Sequence, residues 1–398
     1  MKSLLYFQSG GPTPVINTSL YGVIQEAKRH SEIDGIYGSL FGIEGVINDN
    51  LIDLRQEDDE QIELLKQTPG AILGTTRYKL SDDLGHPDYY KILTTLKNHN
   101  VGYLLVNGGN DSMDTCHKLS QFMKTADYDC AVIGIPKTID NDLNYTDHCL
   151  GYPSAAKYVV QTLQDIAIDN TCYNKGKVAI VEVMGRNAGW LTAAAALLEG
   201  EIKPDRIYLP EESFHLDKFL DEIKAIYAEK KKAFIVISEG VAPFLSSAFA
   251  TVDSFNHAQL GGIANILGDQ IKVKLGFPVR AIEFSLMQRA AAAFISQVDR
   301  EEALKISRFA VRSVVKGKTN AMVIIARLPG PQYKVHYQLK NLRHIANVER
   351  KMSAELIKDV HGEGRLMKEY LKPLIDGNVK FVQKDGVIAF AKLKKIKI

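Results

Sequence analysis

The alternation of short apolar runs with helix-like segments predicts an α/β protein, built as two doubly wound, Rossmann-like α/β domains facing each other across an active-site cleft. Three observations carry this expectation. Apolar runs of four to six residues recur along the chain, the segments between them have helical spacing, and several runs end in glycine or in a polar cluster. That combination belongs to parallel strands joined by crossover helices.

Taken in order, "LLYF" precedes "QSGGP" and a helical segment from Asn17 to His30. "YLLV" precedes "NGGNDS" and the helical "MDTCHKLSQFM", and "AVIGI" precedes "PKTIDND". Further on, "VAIVEV" leads into "MGRNAGW" and an alanine-rich helix, "AFIVI" into "SEGV", and "AMVII" comes late. Residues 50–67 are polar and acidic and read as a surface helix with its connection. A length of 398 residues exceeds one hydrophobic core, so more than one domain is expected.

Composition excludes several classes of function. With 49 Lys and Arg against 47 Asp and Glu, the net charge of +2 provides no field to steer a polyanion, so no nucleic-acid partner is expected. The opening "MKSLLYFQSGGPT" is too polar for a signal-peptide core, and no segment approaches the ~18 apolar residues of a membrane span. The expectation is a cytoplasmic protein without a membrane partner. Cys116, Cys130, Cys149 and Cys172 lie far apart, which reads as buried free thiols rather than a zinc site or disulfide framework. The tail "AKLKKIKI" reads as an amphipathic final strand or a solvated terminus.

The chemistry concentrates at the carboxyl ends of the runs. In "GIPKTIDND" a buried strand ends in Lys137, Thr138, Asp140, Asn141 and Asp142. A solvated turn would use such residues, and so would a site, since ligands of open α/β sheets sit beyond the carboxyl strand ends. The glycine pairs at 10 and 11 and at 108 and 109 each stand between a strand and a helix, where backbone N–H groups meet a phosphate closely. A tight turn explains either pair alone. There is no GxGxxG after the first strand, and "GKT" at 317–319 has Arg312 where a P-loop needs its first glycine, so dehydrogenase and P-loop readings are disfavoured. Arg186 in "VMGRNAGW", Arg77 in "ILGTTR", and Arg280 and Arg289 in "RAIEFSLMQR" add four candidate phosphate ligands. Together these features describe a phosphoryl-transfer site, where positioning and charge neutralisation do most of the catalysis.

The segments "SGGPTPVIN", "GTTR", "GGNDS", "PKTIDND", "VEVMGRNAG", "SEGV" and "RAIEFSLMQR" follow one another from residue 9 to 289 in an order that resembles the phosphofructokinase family. The resemblance implies a domain for the phosphoryl donor, residues 1–150 plus about 290–338, and a domain for the sugar phosphate, residues 151–289 plus about 339–398. It implies Asp140 as the base for the sugar C1 hydroxyl, with Thr138 and Ile139 beside it. Met184, Gly185, Arg186 and Glu239 match the sugar-binding loops. Lys177, Arg280 and Arg289 match positions that hold sugar phosphate, some of them across a subunit boundary, which implies a homodimer or homotetramer. Gly11, Gly109 and Arg77 match donor-side groups, with Mg²⁺ as cofactor.

Two positions bear on the donor. Members that use ATP carry glycine where this chain has Asp111 and Lys137. Asp111 would put a negative charge in the path of a nucleotide, and Lys137 would neutralise the shorter pyrophosphate, so the resemblance implies pyrophosphate and fructose 6-phosphate as substrates. Lys137 could alternatively pair with Asp140 or Asp142. Asn110 replaces the acid expected to bind Mg²⁺, leaving Asn110 and Asp111 as the candidate metal residues. An ATP-dependent enzyme, a pyrophosphate enzyme acting on sedoheptulose 7-phosphate, and a non-catalytic sugar-phosphate-binding subunit are the alternatives.

Overall fold

The computed structural model describes residues 1–172, 174–243 and 262–398. They form two compact units: residues 1–154, 289–349 and 377–398 make the first, and residues 155–288 and 350–376 the second. The expected division therefore needs correction at the carboxyl end. Residues 339–349 and 377–398 belong to the first unit, not to the second. The terminal segment is tied there by main-chain groups: Glu57 accepts from Lys394 N at 2.6 Å, and Gln67 Nε2 donates to Val382 O at 2.8 Å. Short-range patterning does not encode such contacts.

The first unit is built on strands β1 (Lys2–Gln8), β2 (Ile33–Ser39), β3 (Leu51–Asp53), β4 (Val101–Gly108), β5 (Ala131–Thr138) and β6 (Leu150–Gly151). In the second unit lie β7 (Val178–Val183), β8 (Arg206–Tyr208), β9 (Ala233–Ser238) and β10 (Val279–Glu283). The first unit then adds β11 (Ala321–Arg327) and β12 (Val335–Asn341). Its sheet order is β12-β11-β5-β4-β1-β2-β3, with β6 paired to β5. From β11 to β2 every pair is parallel, and β12 and β3 close the edges antiparallel. From β1 the chain moves to β2 on one side, while β4 and β5 lie on the other, so the topological switch falls between β1 and β4. A crevice at the carboxyl ends of those two strands is the ligand position this topology dictates.

Strand residues feed both faces, which is why the runs read as continuously apolar. Leu4, Tyr6, Ile133 and Ile135 pack in one core, which also holds Ala303 and Ile306 of the helix Gln297–Val315. Leu5, Phe7, Val132 and Val106 pack in the other, with Ile92 and Leu119 from the helices Pro87–Asn98 and Asn110–Thr125. Burying one such Leu or Ile contributes roughly 1.5–3 kcal/mol.

The second unit's sheet has the order β10-β7-β9-β8 and is parallel throughout. Val178, Ile180, Ile235 and Ile237 pack with Phe219 and Ile223 of the helix Leu216–Lys230 and with Leu267 and Ile271 of the helix Ile263–Leu275. Of the cysteines, Cys116, Cys130 and Cys149 are buried, whereas Cys172 is exposed, contrary to expectation, because it follows the end of the helix Tyr152–Thr171. Residues 50–67 hold β3, a 3₁₀ turn over Leu54–Gln56 and the helix Asp59–Leu64, so the acidic stretch includes an edge strand. The tail meets that edge through an Ile52–Lys397 bridge. Among the described residues, no helix is long and apolar enough to cross a membrane.

A tight turn brings the helix Gly42–Ile47 against β2 and sets Glu44 to accept the Thr76 hydroxyl. A Cβ at Gly45 would stand 1.9 Å from the Leu40 carbonyl oxygen, which cannot retreat, whereas one at Gly134 would meet the mobile Met113 Sδ at 2.4 Å. Gly45→Ala should therefore cost about 3 kcal/mol or more and Gly134→Ala about 1 kcal/mol in urea unfolding. Equal costs would show that the turn gives way as easily as a side chain.

Candidate active site

The first unit assembles a candidate site from the carboxyl ends of β1, β4 and β5. Gly10, at φ +74°, lets the chain turn sharply after β1, and its N–H donates to Thr76 O at 3.3 Å. Thr75 Oγ1 donates to Gly10 O at 2.7 Å, so "GTTR" and the first glycine turn form one body. Beneath it, buried Gln8 donates to Asn17 Oδ1 at 2.8 Å and accepts from Leu73 N at 3.2 Å. Asn17 in turn donates to Thr68 O and Gly70 O, both at 2.9 Å. Satisfied buried polar networks of this kind hold a loop in one conformation.

Lys137, at the end of β5, is only 2% exposed and donates from Nζ to Gly11 O at 2.6 Å. Burial pushes its pKa down to about 8. Asp140 and Asp142 oppose that shift, and Arg289 and Arg77 reinforce it. A Cβ at Gly11 would stand 3.4 Å from Arg289 Nη1, which brings Arg289 to the same place. Arg289, expected with the sugar-phosphate ligands, thus lies beside Gly11 and Lys137 in the first unit. The signal for it is absent from local sequence, since residues 11 and 289 meet only through the fold.

At the last residue of β5 the Thr138 hydroxyl donates to Asp140 Oδ2 at 3.3 Å and accepts from Asp140 N at 3.1 Å, a side-chain turn that orients the carboxylate. Ile139 is buried. Asn110 starts the helix Asn110–Thr125 directly after Gly109, and Asp111 lies in its first turn. Asn110 Nδ2 donates to Asp142 Oδ2 at 3.1 Å, while Asn110 Oδ1 and Asp142 Oδ1 are buried oxygens with no hydrogen-bond partner. Burial, then Asp140 and Glu349, raise Asp142 to about 7. These two oxygens suit a hard cation that takes its other ligands from phosphate and water. Among the described residues no three His, Cys, Asp or Glu side chains gather as a metal cage. Sequence reading assigned no such role to Asp142, although it stands in the quoted "TIDND".

In the second unit Met184, Gly185 and Arg186 follow β7, and Glu239 follows β9. Gly185, at φ +149°, has a conformation closed to side chains, and a Cβ there would meet Ala188 O at 2.7 Å. Its N–H donates to Glu239 Oε1 at 3.3 Å, and its carbonyl accepts from Gly240 N at 3.2 Å. Met184 N donates to Gln288 Oε1 at 3.2 Å, giving the fully buried Gln288 a role that sequence reading missed. Arg186 Nε is buried without a hydrogen-bond partner. Lys177 and Arg280 are exposed at the opposite end of this sheet: Lys177 precedes β7, and Arg280 pairs with Ala179 near the start of β10. The unit does not bring them to the Met184–Arg186 loop.

Lys137 carries a stability consequence. Its folded pKa of about 8 lies below the unfolded 10.5, so below pH 8 the folded state holds a charge it disfavours, and the penalty disappears as pH rises toward 10.5. Lys137→Met should therefore stabilise the protein by up to about 3 kcal/mol at pH 7, with the advantage shrinking to nothing above pH ~10.5. Denaturant unfolding across that range tests this, and a variant no more stable at pH 7 would contradict it.

The phosphofructokinase family model matches residues 3–314 of this chain. The chain is 37% identical, over 100% of its own length and 97% of the relative's, to the pyrophosphate–fructose 6-phosphate 1-phosphotransferase of Xanthomonas campestris pv. campestris. Two crystal structures of pyrophosphate-dependent phosphofructokinases are similar throughout. That from Marinobacter aquaeolei has a TM-score of 0.89 at 34% identity, covering 100% of this chain and 97% of that one. That from Nitrosospira multiformis has 0.88 at 35% identity, covering 100% and 98%. With matches spanning both units and all the glycine turns and strand ends described above, this chain belongs to the phosphofructokinase family.

Proposed function

We propose that the protein moves a phosphoryl group from pyrophosphate to the C1 hydroxyl of fructose 6-phosphate, giving fructose 1,6-bisphosphate and phosphate, in the cytoplasm. The observation that carries this reading is Lys137: a buried ammonium held on Gly11 O, with Arg77 and Arg289 near enough to depress its pKa. A compact group of three cations suits a small, highly charged donor. Asp111 in the first helical turn adds a negative charge that disfavours a nucleotide.

In this reading Asp140 takes the C1 hydroxyl proton, Thr138 orients it, and the N–H groups of Gly11 and Gly109 cradle the donor. Met184, Gly185, Arg186 and Glu239 bind the sugar. Asn110 and Asp142 would hold Mg²⁺, which supplies charge neutralisation to the pyrophosphate oxygens. Lys177 and Arg280, exposed at the amino end of β7 and β10, are assigned to the sugar phosphate of an adjacent subunit in a homodimer or homotetramer.

The decisive experiment is the ratio of kcat/KM for pyrophosphate to that for ATP. It should strongly favour pyrophosphate in the natural protein, and Asp111→Gly with Lys137→Gly should lower it by more than the two single effects combined. A ratio favouring ATP in the unmodified protein rejects the reading, and an unchanged ratio in a folded double variant rejects these two residues as selectors.

Asp140→Asn should lower turnover by roughly 10²–10⁴-fold with little change in sugar-phosphate KM. Arg280→Ala should instead raise the sugar-phosphate KM. Mixing the two variants under conditions where subunits exchange should restore some activity, because one hybrid site keeps both Asp140 and Arg280. Exchange without recovery would exclude a shared site.

A further inference from the structure

The stretch from Asp140 to Cys149 forms neither helix nor strand, yet it carries the carboxylates Asp140 and Asp142. At its far end is His148, fully buried, with each ring nitrogen on a carboxylate: Nδ1 to Asp147 Oδ1 at 2.9 Å and Nε2 to Glu302 Oε2 at 2.6 Å. We propose that His148 is a positioning residue for Asp140, an ionic staple that clamps this segment to the helix Gln297–Val315 and to β11.

The connection runs through named contacts. Glu302, 3% exposed on that helix, accepts a second bond from Tyr333 Oη at 2.6 Å. Asp147 Oδ1 also accepts from Arg327 Nη2 at 2.8 Å, and the Arg327 guanidinium lies 4.9 Å from the Tyr333 ring centre. The main chain is sewn to β11 alongside: Asp147 N donates to Ile325 O at 2.9 Å, and Ile325 N to Thr146 Oγ1 at 3.0 Å. From His148 the next residue reaches the catalytic turn directly, since Cys149 N donates to Asn141 Oδ1 at 3.0 Å. Asn141 is buried in the left-handed region, at φ +57°, between Asp140 and Asp142. Asn tolerates that conformation better than most residues, and its amide locks it. The direction of Asp140 therefore depends on a turn whose anchor is the residue after His148.

The charges facing His148 are Asp147 beside it, Glu302 and Asp299 on the helix, and Arg327 at the end of β11. Burial alone would lower its pKa, but Glu302 and Asp147 raise it to about 9. The ring is thus cationic at neutral pH, and both nitrogens donate. Relative to an unfolded His near 6.5, its stabilisation is complete below pH ~6.5 and gone once pH passes 9. Removing the cation leaves the buried Glu302 carboxylate facing a neutral group, the costly way to break a buried pair, while part-buried Asp147 keeps Arg327.

The kinetic part of this inference rests on the phosphotransferase reading, so His148→Gln is tested by two independent measurements. In hydrogen exchange, peptides covering residues 140–151 should exchange about tenfold faster while those of β4 stay unchanged. In steady-state assays at pH 7, kcat should fall tenfold or more with both KM values within twofold. The stability advantage of the natural protein over the variant should also disappear between pH 6.5 and 9. Unchanged exchange in 140–151, or raised exchange with unaltered kcat, overturns the proposal, and so does a loss confined to KM. If the natural protein itself shows no pyrophosphate-dependent transfer, the functional reading fails and the exchange result alone decides the staple. Should His148→Gln not fold, Tyr333→Phe replaces it: removing one bond to Glu302 should lower kcat at least threefold with KM unchanged, and an unaffected kcat sinks the idea.

Discussion

The candidate site of the first unit depends on keeping a positive charge inside the protein. An ammonium as buried as that of Lys137 pays heavily in lost hydration. The Gly11 carbonyl and the carboxylates of Asp140 and Asp142 offset part of that cost, while Arg77 and Arg289 increase it. The result is a group poised to lose its proton near pH 8, whose charge is best satisfied when an anion arrives. The surrounding structure follows from this requirement. Gly10 takes the left-handed turn that brings the chain past Lys137, and β1, β4 and β5 must be neighbours so that their ends converge.

The Met184–Arg186 loop of the second unit is prepared differently. Gly185 stands in a conformation that costs any other residue, and it persists because Glu239, Gly240 and Ser238 each bond to its peptide groups. Gln288 fixes the preceding residue from below. A loop fixed in this way meets a ligand without first paying to order itself.

Between the charged turn and β6 the chain relies on side chains rather than on a ladder. The Thr138 and Asn141 side chains shape the turn, and Asp299 accepts Gly151 N at 2.9 Å and Ser154 N at 3.1 Å further along. A segment without regular hydrogen bonding is thus tied down through its side chains, Asp142 Oδ1 being a buried oxygen left without a hydrogen-bond partner.

The sequence by itself determined the α/β class, the glycine turns, and the place of Lys137, Thr138, Asp140, Gly185, Arg186 and Glu239 at or just past the ends of strands. These are legible because strand hydrophobicity, glycine turns and polar strand ends are local properties of a few consecutive residues. Only the tertiary structure decided that Arg289 lies with Gly11, that Asn110 pairs with Asp142, that residues 377–398 return to the first unit, and that His148 meets Glu302 across 154 residues of chain. The physical reason is that burial and charge pairing are set by neighbours distant in sequence. A lysine is a solvated cation or a poised anion-binding group according to what the fold packs around it.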